Sequence, residues 1–120
     1  MRYMFIVTSA HKSAPTPELI EAITKLTERE IKAGRMIDNA GLAPLATGAR
    51  VRISDGELTV LDGPFTETKE VIGGYAILDL RNKEEAIASA VEFMRLHKDF
   101  MPGWEGTCEV RDFVHGPSPG

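Results

Sequence analysis

Three ionisable residues gather directly after a predicted strand, in the stretch 62–69 (DGPFTETK). A carboxylate at a strand end beside a lysine is a candidate acid/base pair, because opposite charge and partial burial together shift pKa values. Asp62 is therefore predicted as the catalytic base, and Glu67 and Lys69 as substrate-binding groups. The same residues also fit turn chemistry, since an aspartate before Gly-Pro commonly accepts backbone N–H groups.

Two histidines stand where a proton could be moved. His11 lies in the loop between the first predicted strand and the first predicted helix. Because imidazole titrates near neutral pH, His11 is predicted as a catalytic proton shuttle that pairs with Asp62 across the sheet, although a plain surface position fits equally. His97 ends the second predicted helix, where a cation is favoured, and is predicted to cap or pack; a pocket position beside Trp104 is the alternative.

Arg50 and Arg52 alternate along a predicted hairpin, which places both guanidinium groups on one face. Such a face can hold an anionic ligand, or it can simply be solvated. The predicted substrate-binding residues are therefore Arg52, Tyr75, Glu67 and Lys69.

The spacing of apolar residues predicts the elements that must position these groups. The predicted strands are 3–7, 36–40, 75–80 and 108–114, and the predicted helices are 17–33 and 83–96. Between the alternating runs 50–54 and 57–61, Asp55-Gly56 predicts a β-hairpin with a type I′ turn. Gly73-Gly74 predicts a bulge or a close approach of two backbones.

The order strand, helix, strand, hairpin, strand, helix, strand is that of a ferredoxin-like α+β fold, with an antiparallel sheet, two helices on one face and an inserted hairpin. Two helices cover only one face of such a sheet, so large apolar side chains remain on the other. We therefore predict a homodimer joined through the open face, with pockets between sheet and hairpin.

Composition narrows the function classes. The chain has 120 residues, of which 42% are hydrophobic and 27% charged; this indicates one globular domain, 1–114, followed by a flexible tail, 115–120. A net charge of −4 without a dense Lys/Arg stripe argues against direct nucleic-acid binding, and no apolar run is long enough to span a membrane. The single cysteine, Cys108, suits a reducing cytoplasm, and the three scattered histidines predict neither a metal nor a cofactor.

Several segments resemble the YCII-related family in its DGPF-domain branch. They are 62–70 (DGPFTETKE), 72–75 (IGGY), 41–44 (GLAP), 51–56 (VRISDG) and 109–111 (EVR). The resemblance covers about residues 1–114 and implies a dimeric ferredoxin-like fold. The wider superfamily includes an enzyme that removes chloride from a chlorinated hydroxyquinol, with a proposed His and Asp pair. That histidine is expected on the first helix, and residues 16–33 contain none, so the pair does not transfer to this chain.

Two functions follow. In the first, the protein is a cofactor-independent lyase or isomerase of a small polar or phenolic molecule, with Asp62 as base, His11 as shuttle, and Arg52 or Lys69 stabilising an oxyanion. In the second, it is a non-catalytic ligand-binding or regulatory dimer. The resemblance to products encoded beside extracytoplasmic-function sigma factors implies a link to such a factor.

Overall fold

A computed structural model describes residues 1–10, 14–44, 47–62 and 71–114. The elements are β1 (Arg2–Ser9), α1 (Pro17–Lys32), β2 (Met36–Gly41), β3 (Ala49–Ser54), β4 (Glu57–Asp62), β5 (Val71–Asp79), α2 (Lys83–Phe100) and β6 (Thr107–Asp112). The predicted element order is confirmed, and α2 continues past its predicted end at 96. The predicted tail, 115–120, lies outside the described residues, so the domain limit at 114 stays a prediction.

Four strands form an antiparallel sheet in the order β2-β5-β1-β6, and β3 pairs with β4 alone. β1 is central, since Phe5 lies opposite Ala76 on one side and Val110 on the other. This order is that of the ferredoxin-like α+β fold, which confirms the predicted fold class.

Both helices pack on one face of this sheet. Alternate residues of the central strands point to that face, because side chains alternate along a strand. The core joins Tyr3, Phe5, Leu78 and Leu80 to the small side chains Ala86 and Ala90 of α2.

The predicted apolar stripe of α2 is wrong in part. Ile87 and Val91 are 46% and 47% exposed and border a groove between α2 and β6. The face of α2 that meets the sheet is instead its alanine face, because small side chains let the helix approach the strands closely.

The helix starts follow from side-chain caps. The Thr16 hydroxyl accepts the Leu19 N–H at 3.1 Å and donates to the carbonyl of Phe100 at 2.7 Å, so it also ties the start of α1 to the end of α2. Asn82 accepts the N–H of Glu85 at 2.9 Å. Both predicted starts are confirmed, since each cap satisfies an N–H that the helix leaves free.

The hairpin extends away from the helix-covered sheet. Asp55 and Gly56 have φ values of 53° and 76°, which confirms the type I′ turn. Its apolar side chains stay uncovered: Val51, Ile53, Leu58 and Val60 are 66–74% exposed. The radius of gyration is accordingly 16.4 Å, against about 14 Å for a compact domain of this length. Neither described helix is both long and apolar enough to cross a bilayer.

The glycine pair in β5 sits at an irregularity of the sheet. The register of β1 with β5 shifts where Val7 pairs with Gly74 and Thr8 with Ile72, which leaves Gly73 as the bulged residue. A Cβ on Gly74 would lie 3.0 Å from the carbonyl oxygen of Ala40. The predicted bulge and close backbone approach are both confirmed, and both border the cavity described next.

Candidate functional site

A cavity of about 700 Å³ lies between the helices and the sheet face that they cover. Its walls are mainly apolar, and they include Phe5 and Val7 of β1, Leu78 of β5, Leu26 of α1 and Phe93 of α2. Size and lining are those of a small-molecule site, which combines apolar walls with a few placed polar groups.

Two buried ionisable side chains line this cavity. His97 is 7% exposed and Glu30 is 4% exposed. The antiparallel register of the helices separates them, because Thr16 bonds to Phe100 while Arg29 bonds to Glu92. Glu30 therefore lies level with the stretch 89–92 of α2, about 8–12 Å along the helix axis from His97 at 1.5 Å per residue. We name the two ends of the cavity the His97 end and the Glu30 end.

His97 presents a neutral imidazole to the cavity. Its Nδ1 lies 3.1 Å from the carbonyl oxygen of Phe93, and since a carbonyl only accepts, Nδ1 carries the hydrogen and Nε2 is left as an acceptor. Among the described residues Nε2 has no hydrogen-bond partner, and it is not sealed from solvent. Burial lowers the pKa of His97, although the bond to Phe93 acts in the opposite direction.

Burial disfavours the cationic form that the predicted capping of α2 by His97 requires, and that role stays a prediction. The predicted packing of His97 is confirmed, and so is the alternative of a pocket position beside Trp104. The two ring centroids lie 4.4 Å apart, and the ring of Phe93 lies at 4.8 Å.

The chain that follows α2 builds this end of the cavity. The Trp104 N–H donates to the carbonyl of Met101 at 3.0 Å, and Gly103 takes a φ of 88°, so the chain turns back towards α2. Gly106 leaves room for the indole: a Cβ there would lie 2.3 Å from Cη2 of Trp104 and 2.7 Å from the carbonyl oxygen of Thr8. Gly106 thus lets Trp104 lie against both strand and imidazole.

The Glu30 end is built by the last turn of α1. Gly34 has a φ of 76°, and Gly34 and Arg35 donate their N–H groups to the carbonyls of Ile31 and Glu30 at 3.0 Å each. This is a Schellman motif, which needs a residue tolerant of positive φ after the helix. It folds Arg35 back onto the helix, and the Arg35 guanidinium binds the Glu30 carboxylate.

The carboxylate of Glu30 is held through one oxygen. Oε2 accepts from Nε of Arg35 at 3.0 Å, and Nε of Arg29 lies 3.5 Å from the same atom. Arg29 also binds Glu92 through two bonds, of 2.9 and 2.5 Å. In the described part of the chain Oε1 accepts no hydrogen bond, and it retains solvent access. Two guanidinium groups therefore compensate the charge and leave one unused acceptor on a residue that lines the cavity.

Several of the predicted site residues lie outside the part of the chain that the structure describes. His11, Glu67 and Lys69 lie outside the described residues, and of Asp62 only the backbone is described, paired with Ala49 at the end of β4. The pairing of His11 with Asp62 stays a prediction.

Arg52 and Tyr75 are described and lie apart. Arg52 is on the exposed hairpin, whereas Tyr75 is among the residues that line the cavity, and its hydroxyl donates to Oδ2 of Asp38 at 3.0 Å. That bond raises the pKa of Tyr75. The predicted roles of both residues in substrate binding stay predictions.

Sequence reasoning missed Glu30. The signal was its spacing, since it follows Ile23 by seven residues and Leu26 by four, and so shares the apolar face of α1. Cys108 matches its predicted inert character: it is half-buried, and burial raises its pKa to about 11.

Comparison with known proteins identifies the family. A sequence model of the YCII-related domain matches residues 1–94. An uncharacterised protein of Rhizobium meliloti (strain 1021) is 33% identical over 105 residues, which span 88% of this chain and 81% of that relative. Placement in the DGPF branch stays a prediction.

Proposed function

This chain belongs to the YCII-related family, and we propose that it binds a small, mainly apolar molecule in the cavity and moves a proton on it, with His97 as the general base. The observation that carries the proposal is the neutral His97 imidazole, whose unbonded Nε2 lies in an apolar cavity. Burial lowers the pKa of His97, which keeps the Nε2 lone pair free to accept a proton at neutral pH.

The chemistry that fits is an isomerisation or elimination without a cofactor. Nε2 takes a proton from a carbon next to a carbonyl, and the electron pair of that C–H bond moves towards the carbonyl oxygen. The imidazolium keeps its Nδ1–H bond to Phe93, and it returns the proton to another atom of the substrate or to a leaving group.

Phenylpyruvate is a suitable probe, because its keto and enol forms interconvert by one proton transfer. Binding is followed by the fluorescence of Trp104, the single tryptophan of the chain, and enolisation by ultraviolet absorbance. We expect the protein to accelerate enolisation about 10²-fold or more over buffer, and His97→Gln to remove the acceleration. Cys108→Ala, outside the cavity lining, is the control and keeps it. Acceleration that survives His97→Gln contradicts the assignment of the base.

A non-catalytic ligand-binding or regulatory dimer linked to a sigma factor is the second candidate. Its support is that the described ring neighbours of His97 are aromatic rather than ionisable, so no carboxylate orients the imidazole there. Quenching of Trp104 by phenylpyruvate without faster enolisation favours this candidate. Purification of the native protein with a bound sigma factor is the matching test of the partner.

We propose that the protein works as a homodimer in the cytoplasm. The hairpin supports this, because Val51 pairs with Val60 and Ile53 with Leu58, which gives one exposed apolar face. A two-fold axis lets the same patch on two copies cover itself. Sedimentation equilibrium should give a dimer for the wild type and a monomer for Ile53→Lys; a wild-type monomer at tens of micromolar contradicts it. The cytoplasmic placement rests on the single cysteine, which burial keeps protonated.

A further inference from the structure

We propose that Glu30 is a second anchor of the cavity, and that its ligand is an elongated molecule carrying a hydrogen-bond donor, a hydroxyl or an amino group, at the end opposite the group that meets His97. This inference rests on the proposed function, because it takes the same cavity as the binding site. It adds the chemical class of the ligand: two polar ends separated by an apolar body.

The first argument is the unused oxygen of Glu30. Glu30 is 4% exposed, yet all its bonds to the described residues end on Oε2. Buried carboxylates ordinarily satisfy both oxygens, since a buried acceptor without a partner is destabilising. Oε1 keeps solvent access on a residue that lines the cavity, so a ligand donor can reach it there.

The second argument is the way the carboxylate is fixed. Arg35 is tied to Glu30 twice, through its guanidinium and through its backbone N–H, and its own carbonyl accepts the N–H of Asp79 at 2.7 Å. The carboxylate is therefore held in place before any ligand arrives. An acceptor that needs no reorganisation on binding gives more affinity and more selectivity than a mobile one.

The third argument is spacing. The two ends of the cavity lie about 8–12 Å apart along α2, and the walls between them are apolar, with Leu26 and Phe93 on the helices and Val7 on the sheet. A ligand that satisfies both acceptors must match this span. His97 Nε2 and Glu30 Oε1 are both acceptors, so a hydrogen-bond donor at either end of a ligand finds a partner.

Three biphenyl probes test the inference: biphenyl, 4-phenylphenol and 4,4′-dihydroxybiphenyl. They share one apolar body and carry no, one or two hydroxyls, and the last has its two hydroxyls at opposite ends of that body. Dissociation constants come from Trp104 fluorescence with the full chain. We expect 4-phenylphenol to bind more tightly than biphenyl, and the second hydroxyl to tighten binding about tenfold more, as a bond to a charged acceptor does.

Glu30→Met should abolish the gain from the second hydroxyl and leave the affinity for 4-phenylphenol within about twofold. Glu92→Met is the matched control, since Glu92 also binds Arg29 but does not line the cavity; there the gain should persist. An unchanged affinity for 4-phenylphenol shows that the cavity of the Glu30→Met variant is intact. If that affinity changes, Glu30→Gln is the variant to use, because glutamine keeps the shape of the side chain. It should reduce the gain from the second hydroxyl by half or more.

The outcomes separate the two proposals. If 4-phenylphenol binds in a manner that depends on His97, but the second hydroxyl adds nothing or its gain survives Glu30→Met, the Glu30 anchor is wrong and the cavity stands. If none of the three probes binds but phenylpyruvate is enolised in a manner that depends on His97, the Glu30 anchor is wrong and the proposed function stands; if phenylpyruvate is not enolised either, both are wrong.

Discussion

At the Glu30 end of the cavity, α1 stops at Gly34 and Arg35 turns back onto a carboxylate; at the His97 end, α2 stops at Met101 and Trp104 turns back onto an imidazole. Each end is thus built by the chain that leaves a helix. At the Glu30 end this chain supplies a guanidinium partner for the buried carboxylate. At the His97 end it supplies an aromatic ring beside the imidazole.

The difference shows two ways of keeping an ionisable side chain inside a protein. A buried charge needs a paired opposite charge, and Glu30 has guanidinium groups on one oxygen. A histidine can instead give up its charge, and burial lowers the pKa of His97. A cavity with both devices offers a charged acceptor and a neutral acceptor to the same ligand, so the two ends can be told apart by pH and by substitution.

The largest effect is expected from Gly106→Ala, which breaks the His97 end. The added Cβ would overlap Cη2 of Trp104 and approach the carbonyl of Thr8, so the indole must leave its place. We expect the free energy of unfolding to fall by about 3 kcal/mol, and Trp104 emission to shift to the red. Gly73→Ala, where a Cβ meets nothing within 4 Å, is the control. Equal stability of the two variants would show that Trp104 is not confined by Gly106.

Gly34→Ala should break the Glu30 end at a smaller cost. A Cβ there meets no atom within 4 Å, so the whole penalty comes from the φ of 76°. We expect a loss of about 1–2 kcal/mol in urea unfolding, and a smaller loss for Gly34→Asn, because asparagine tolerates that conformation. If alanine costs no more than asparagine, the Schellman motif does not hold Arg35 in the way described.

The two ends should also differ in pH dependence. Unfolded histidine titrates near 6.5, and His97 in the fold titrates lower, so the unfolded chain binds more protons between those two values. The free energy of unfolding should therefore fall as pH drops below about 6.5. His97→Gln should flatten this decline between about pH 5 and pH 8, measured by urea unfolding. If an NMR titration of the folded protein gives His97 a pKa above 6.5, this explanation of the pH dependence is wrong.

The smallest effect is expected from Glu92→Gln. Glu92 and Arg29 are paired by two bonds, which lower the pKa of Glu92, but their side chains are 45% and 51% exposed. Exposed ion pairs contribute little to stability, so the free energy of unfolding should fall by about 0.5 kcal/mol. A loss as large as that of Gly106→Ala would mean that the Arg29–Glu92 pair, rather than Arg35, holds the Glu30 end together.

The fold was predictable because its signals are local. Thr16 and Asn82 mark helix starts, Asp55-Gly56 marks the hairpin, and the alternation of helix and strand fixes the sheet order. These features depend on neighbours in sequence, where spacing carries the information.

The site was predictable only in part, because it joins residues far apart in the chain. His97 was weighed as a pocket residue through its nearness to Trp104, and the structure brings the two rings together. Glu30 was missed, since one acidic residue on a helix gives no sign that a cavity opens beside it. The predicted role of Asp62 rests on the ionisable residues that follow it in sequence, and it stays a prediction because those residues lie outside the described part of the chain.

The single hydroxyl of Thr16, which caps α1 and bonds to Phe100 of α2, lies one turn beyond His97. The first turn of one helix and the last turn of the other therefore share one atom, and neither can fray without releasing its counterpart. Amide protons of Leu19 and Met101, on different helices, should exchange with deuterium in a single opening event.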